Sequence, residues 1–226
     1  MAFHVARILV WRILRLGFEG DDGTFGPPLM RHSLVRVQTE ATLDIDHVLD
    51  VLDRLDAAGI EWWVDGGWGI DALLGEERRP HDDLDLVVRR EEIHRLPALF
   101  PEFTRSDEEW WPARFVLSSG DGRQIDFHPV EFDERGDGWQ ELIDGSRGRY
   151  PAADLAGSGR IGGRQVRCIT PELQLRHHDY STGGPDDIDL DDVRVLCERF
   201  GLAIPPAYGK RPGFIEPKRT RAAPRP

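Results

Sequence analysis

Residues 60–88 read Ile60-Glu-Trp-Trp-Val-Asp-Gly-Gly-Trp-Gly-Ile-Asp-Ala-Leu-Leu-Gly-Glu-Glu-Arg-Arg-Pro-His-Asp-Asp-Leu-Asp-Leu-Val-Val88, and this stretch decides the fold. Ile60 to Asp65 alternates as a strand does and runs into Gly66-Gly67; Trp68 to Leu74 is a short helical stretch that Gly75 stops. After the loop 76–82, Asp83-Leu-Asp-Leu-Val-Val88 is a second strand. Successive side chains of a strand alternate between faces, so Asp83 and Asp85 project together while Leu84, Leu86 and Val88 take the buried side. Two like charges on one face repel and add nothing to folding. A divalent cation between them would account for the pair, and so would the polar outer face of an edge strand.

Gln124-Ile-Asp-Phe-His128 alternates in the same way, with Ile125 and Phe127 inward and Asp126 and His128 opposite. On a neighbouring strand, Asp126 would complete an Asp/Asp/Asp cluster suited to two Mg2+ ions; taken alone it is an ordinary solvent-facing acid. Gly66-Gly67, between strand and helix, lets the backbone approach a phosphate closely near a helix N-terminus, or makes a tight turn with no ligand. Gly67-Trp-Gly-Ile-Asp-Ala72 also fits a loose dinucleotide-binding pattern. That pattern needs a full crossover helix and an acid about 20 residues on, whereas Gly75 comes after two turns and Asp83 and Asp85 come too early.

Outward from this centre, Ile45, Val48, Leu49, Leu52 and Leu55 fall at helical spacing between an Asp44 cap and a Gly59 stop. Glu91–Phe100 is helical as far as Pro97. Arg114–Ser118 and Arg123–Phe132 form a hairpin through Ser119-Gly-Asp-Gly122. Residues 133–160 are polar and Gly-rich with weak signals, and 161–169 add a strand pair at Gly162-Gly163. Thr170-Pro171-Glu172 opens a helix, and another runs from about Asp189 to Phe200. The first thirty residues, an Arg-punctuated amphipathic stretch and a Gly/Pro loop, are expected to be a dispensable extension. The chain after Ala203 is expected to be a disordered basic tail.

The formal charge is -12 over 226 residues, and it is unevenly spread: residues 37–209 hold 18 basic and 37 acidic side chains. Such a body repels a phosphate backbone, so no nucleic acid partner is expected; a divalent metal or a cationic small molecule suits it better. The only lysines, Lys210 and Lys218, lie in the tail. P-loop, Schiff-base and kinase-type lysine chemistry is therefore excluded from the body, and any phosphate clamp must be Arg, His, backbone N–H or metal. Cys168 and Cys197 suit two reduced, buried thiols in a cytoplasmic protein. No apolar run reaches membrane-spanning length, so no membrane partner is expected.

Together, Trp63-Val-Asp-Gly-Gly-Trp-Gly-Ile-Asp-Ala-Leu-Leu-Gly75, Arg79-Pro-His-Asp-Asp-Leu-Asp85 and Ile125-Asp-Phe-His-Pro129 resemble the polymerase-β type nucleotidyltransferases. Within them they look like the short-type lincosamide and the aminoglycoside 2″-nucleotidyltransferases. Cys168-Ile-Thr-Pro-Glu-Leu-Gln-Leu175 and the helix at 189–200 look like the lincosamide group; after His178 the segment His177-His-Asp-Tyr180 departs from it. The likeness covers roughly residues 44–200. It implies an α+β nucleotidyltransferase fold: a small mixed or antiparallel sheet flanked by helices, with short C-terminal helices. The implied domains are an extension (1–40), a nucleotidyltransferase domain (41–168), C-terminal helices packed on it (169–204) and a tail (205–226).

The activity implied by the resemblance is Mg2+-dependent transfer of a nucleoside monophosphate from an NTP, ATP first, to a hydroxyl of a lincosamide- or aminoglycoside-like molecule, with loss of pyrophosphate. Asp83, Asp85 and Asp126 would be the catalytic and metal-holding residues, with Asp126 the candidate proton acceptor. Gly66, Gly67, Arg79 and His81 would bind the nucleotide. Trp110, Trp111, Arg114 and His128 are acceptor-side candidates, His128 also as an orienter of a carboxylate, and Glu108 and Glu109 would add an acidic margin. Alternatives are transfer to another metabolite or to a protein hydroxyl, a His/Asp metal phosphohydrolase using His81-Asp82 and His178-Asp179, and a nucleotide-binding non-enzyme.

Overall fold

The computed structural model describes residues 42–106, 108–178 and 187–209. The extension expected over 1–40, the tail beyond 209 and Asp179 lie outside the described residues. Helix α1 (Ile45–Ala57) begins where Asp44 accepts the His47 N–H at 2.9 Å, and it ends before Gly59 at φ 69°. Its inward stripe is Val48, Val51, Leu52 and Leu55, while Ile45 and Leu49 pack at its margin. Strand β1 (Trp62–Val64) follows, then α2 (Gly66–Leu74), capped at its end by Gly75 in the left-handed region, and β2 (Asp83–Arg89). Both faces of β1 are covered, so all three of its residues are buried rather than alternating.

A 3-10 turn (Arg90–Arg95) and one helical turn, α3 (Leu96–Leu99), replace the helix expected from Glu91 as far as Pro97. Pro97 has no N–H to donate, so it sits in the first turn of α3 and cannot continue a helix arriving from Glu91. Then come β3 (Phe103–Arg105), β4 (Phe115–Ser119), β5 (Gln124–Phe132), β6 (Gly138–Glu141), β7 (Arg147–Tyr150), β8 (Gly157–Ile161) and β9 (Arg164–Cys168). The chain closes with α4 (Pro171–His178), α5 (Asp187–Phe200) and α6 (Pro206–Gly209). The β6–β7 hairpin lies in the segment without sequence signals. Its inward positions on β6 are Gly138 and Gln140, which leave no apolar alternation to read.

The expected α+β fold with a mixed sheet is the one adopted. The strand order is β3-β4-β5-β2-β1-β9-β8, with β6 and β7 extending from β5. β2 and β5 run parallel, as do β1 and β9, while β1–β2, β4–β5 and β8–β9 are antiparallel. The sheet has two unlike faces. On one, Leu84, Leu86, Val88, Ile125, Phe127 and Leu117 form the main core with α1. On the other, Val87, Val130 and Trp63 join Tyr150, Leu155, Ile169 and Leu173 in a smaller core, and the Asp83–Asp85 end of that face is left for polar side chains. Helix α4 packs on α2 and α5. The first residues of the expected tail are ordered: Tyr208 of α6 is fully buried with Val193 and Cys197, and its hydroxyl donates to the His178 carbonyl. No described helix is long and apolar enough to cross a membrane.

Candidate active site

Pairing of β2 with β5 puts Asp85 opposite Asp126 and Asp83 opposite Gln124, all on the face away from the main core. Ligand atoms of Asp85, Asp126 and His128 come within 4.8 Å of one another. Asp83 stands one alternation along β2, outside that trio. Burial, and then the charges of Asp85 and Asp82, push its carboxyl up to about 7, against partial relief from Arg114 and Arg79. A bound cation would oppose that shift by neutralising the neighbouring charges, the smaller of its two causes.

Asp126 is wholly buried. Its charge partner among the described residues is the Arg114 guanidinium, whose Nη2 stands against Oδ2 as an ion pair. Asp126 faces Asp85 across the strand pair, and the two carboxylates match the oxygen donor set of a hard divalent cation. Arg114, one of the acceptor-side candidates, is thereby placed on the Asp126 carboxylate.

The Gly66-Gly67 turn is pressed against this cluster. Gly66 has φ 59°, and a Cβ there would lie 2.0 Å from Asp85 Oδ2. A Cβ on Gly67 would lie 2.4 Å from His81 Nδ1 and 2.9 Å from Arg79 Nη2. Asp65 caps α2, accepting the Gly66 N–H at 2.7 Å, and its own N–H donates to the Asp85 carbonyl at 2.9 Å. His177 of α4 approaches Asp65 from the other side, Nδ1 to Oδ2 3.1 Å, with its ring edge-on to Tyr150. Burial alone would raise Asp65, but the charge and hydrogen bond of His177, then His128 and the Gly66 N–H, outweigh it and hold the carboxyl at about 2. Burial likewise disfavours a charged His177, and Asp65 outweighs it, so the imidazole is raised above its ordinary value.

Arg79 reaches beneath Gly67 and is held by Asp192 of α5, Nη2 to Oδ2 3.1 Å. Arg78 pairs with both Asp191 and Asp192. His81 is buried, so the structure does not offer it as a direct phosphate ligand: its Nε2 lies 2.6 Å from Asp71 Oδ2 and its ring lies against Trp68. It braces the turn from below, with Asp71 also accepting the Arg78 N–H.

On the acceptor side, Trp110 is half-buried and Trp111 is 38% exposed. Trp111 lies between the Arg90 and Arg105 guanidinium groups, 5.4 and 5.6 Å from its ring centre, so the aromatic rim is flanked by arginine as well as by Glu108 and Glu109. His128 faces Asp85, Nε2 to Oδ1 3.1 Å.

Three residues of the site have no counterpart in the sequence reading: Asp65, His177 and Asp192. Asp65 carries a usable signal, an Asp directly before a glycine-opened helix, where N-caps are found. The others join the site from elements distant in the chain and leave no local trace.

Residues 47–196 match the sequence model of the family described as aminoglycoside-2''-adenylyltransferase. A lincosamide resistance protein of Staphylococcus haemolyticus is 26% identical over 149 residues, which is 65% of this chain and 91% of that protein. A 2''-aminoglycoside nucleotidyltransferase of Klebsiella pneumoniae is 27% identical over 165 residues, 71% of this chain and 89% of that one. Among solved structures, the lincomycin-bound lincosamide antibiotic adenylyltransferase LnuA superposes with a TM-score of 0.61 at 23% identity, covering 69% of this chain and 98% of its own. That likeness is one of fold.

Proposed function

The chain belongs to the aminoglycoside-2''-adenylyltransferase family, and from that premise we propose that it transfers a nucleoside monophosphate from an NTP, ATP first, to a hydroxyl of a lincosamide- or aminoglycoside-type molecule, releasing pyrophosphate. The observation that carries this reading is the cluster of Asp85, Asp126 and His128, with Asp85 in register with Asp126 and set against the Gly66 turn.

Asp83, Asp85 and Asp126 would hold divalent metal, Mg2+ in the cell, which when bound supplies charge neutralisation at the in-line displacement. The chain's own groups do the rest. First-turn N–H groups of α2 other than the Gly66 N–H, which is spent on Asp65, would be offered to the triphosphate, and Arg79 would add the cation that a lysine-free body needs there. Asp192 holds Arg79 in place, and His81 with Asp71 supports the turn. Asp126 is the group positioned to take the acceptor's proton, with Arg114 compensating its charge while it waits. Residues 41–168 form the catalytic domain in this reading and 169–204 the helices that brace it. The free, buried Cys168 and Cys197 suit a cytoplasmic setting.

Both acceptor classes stand in this reading: Arg90 and Arg105 flank Trp111, and Arg90 is itself paired with Glu141 and Glu131. The hydrolase alternative is disfavoured: His81 is buried against Asp71, and His178 Nδ1 is turned 2.8 Å to the Gln174 carbonyl of its own helix.

The test is incubation with Mg2+, labelled ATP or GTP, and a panel of lincosamides and aminoglycosides. Nucleotidylated antibiotic together with pyrophosphate is the expected result. Phosphate release without an adduct would sink the transferase reading, and an adduct only on other metabolites or on protein would move the acceptor class.

A further inference from the structure

Gln140, on the hairpin that hangs from β5, touches the supports of both metal-facing carboxylates. Its Nε2 donates to the Ala113 carbonyl at 2.8 Å and lies 3.2 Å from His128 Nδ1, while its Oε1 accepts from the Tyr150 hydroxyl at 3.2 Å. Ala113 is the neighbour of Arg114, the partner of Asp126, and His128 is the partner of Asp85.

A carbonyl oxygen only accepts, so the Ala113 carbonyl fixes which end of the Gln140 amide faces it: the NH2 end. The second N–H of that group then points at His128 Nδ1. An N–H cannot oppose another N–H, so Nδ1 must keep its lone pair and the ring proton must sit on Nε2. Nε2–H in turn donates to Asp85 Oδ1. The other oxygen, Oδ2, abuts Gly66, where even a methyl group would not fit. Asp85 is thus gripped on both sides, by a donor on Oδ1 and by a bare glycine at Oδ2.

We propose that Gln140 is a positioning residue of the site: it locks His128 in the Nε2–H tautomer, so that His128 serves as a hydrogen-bond donor orienting Asp85 and not as a nitrogen ligand to the metal. The proposal rests on the metal-holding reading of Asp85 given above. It explains why a hairpin with little apolar content is attached to β5: its inward polar side chain, Gln140, is 8% exposed and is satisfied at both ends of its amide. Outer hydrogen bonds of this kind typically change metal affinity about 10- to 100-fold.

Two measurements test it. In the metal-free wild-type protein, a long-range 1H–15N spectrum of the histidine rings, with His128 assigned by its loss in His128→Gln, should show one Nε2–H tautomer. The Nδ1–H form, or a mixture, would overturn the lock. Mn2+ affinity is then compared between wild type, Gln140→Leu, His128→Leu and His128→Gln. Gln140→Leu and His128→Leu should each bind about tenfold or more weakly, while His128→Gln, which retains an N–H donor near the Nε2 position, stays near wild type.

Equal affinity in a folded Gln140→Leu overturns the proposal, and so does imidazole nitrogen hyperfine coupling to Mn2+ in the wild type that vanishes in His128→Gln. If Gln140→Leu does not fold, the histidine variants and the wild-type tautomer still decide the question. Failure of the wild type to bind Mn2+ would instead strike the metal reading of Asp85, and the ring spectrum would still judge the lock.

Discussion

Gly66→Ala is the substitution whose consequences follow most directly from the geometry. The new Cβ would sit 2.0 Å from Asp85 Oδ2, 2.8 Å from Cγ and 3.1 Å from Cβ. Ordinary contact begins near 3.4 Å, so the Asp85 carboxylate or the turn must yield by more than an ångström. The backbone adds a second cost, since φ 59° is left-handed and disfavours an L side chain by about 1–2 kcal/mol. Displacing Asp85 into a strained rotamer adds about 1–3 kcal/mol, as overpacking does elsewhere.

Gly75→Ala is the matched control. It has φ 80° with nothing within 4 Å of the added Cβ, so it carries the backbone cost alone. Both variants should therefore lose stability in thermal melts, at about 2–4 °C per kcal/mol for a chain of this size. Gly66→Ala should fall further by the displacement cost. Its nucleotidyl transfer should drop about 100-fold, because a 1 Å misplacement at a reacting centre costs that much, and Mn2+ affinity should fall with it. Gly75→Ala should keep its activity. If the two variants match in melting temperature, Mn2+ affinity and rate, the close approach of Gly66 to Asp85 is not what holds the site, and the reasoning fails.

Three other outcomes are expected. Asp126→Asn leaves the Arg114 charge without its partner, so its melting temperature should fall, and at a temperature where it is folded it should transfer about 10²–10⁴-fold more slowly in a labelled-ATP assay; full activity would remove Asp126 from the mechanism. Asp192→Asn frees Arg79 and Arg78 from their shared partner, so steady-state kinetics should show KM for the triphosphate raised about tenfold with kcat little changed, the loss of one charge-assisted contact. The Asp65 carboxyl, held at about 2 in the folded chain against 3.8 ordinarily, contributes about 2 kcal/mol that is complete above pH 4 and lost as pH falls through 2. His177, raised by the same contact, contributes in the opposite direction, fully below pH 6.5 and lost as pH rises past its folded value. Urea unfolding of wild type and Asp65→Asn across this range should show a steeper acid-side loss in the wild type, since Asp121 and the other lowered carboxyls remain in both; equal slopes would contradict the pair.

The sequence by itself determined the local pieces. Alternation placed Asp83 and Asp85 on one face of β2 and Asp126 with His128 on one face of β5, and caps and glycine stops marked α1, α2 and the last long helix. These signals survive in one dimension because they come from neighbours within a few residues: a pleat of period two, an Asp44 side chain meeting an N–H three residues on, a glycine ending a turn. The β6–β7 hairpin escaped because its inward positions are glycine and glutamine, and α3 was overdrawn because Pro97 restarts the helix.

Tertiary structure alone decided the site's couplings. Parallel pairing set Asp85 beside Asp126, folded Arg114 onto a carboxylate, and buried His81 against Asp71. It also joined His177 to Asp65 across 112 residues, Asp192 to Arg79 across 113 and His128 to Asp85 across 43. Such contacts depend on which strands pair and in what register, and that is settled by burying the main core over the whole sheet at once. No window of the chain carries it, because the energy that selects the register is spread over Leu84, Leu86, Ile125, Phe127 and α1, while the charged groups it brings together contribute little to the choice.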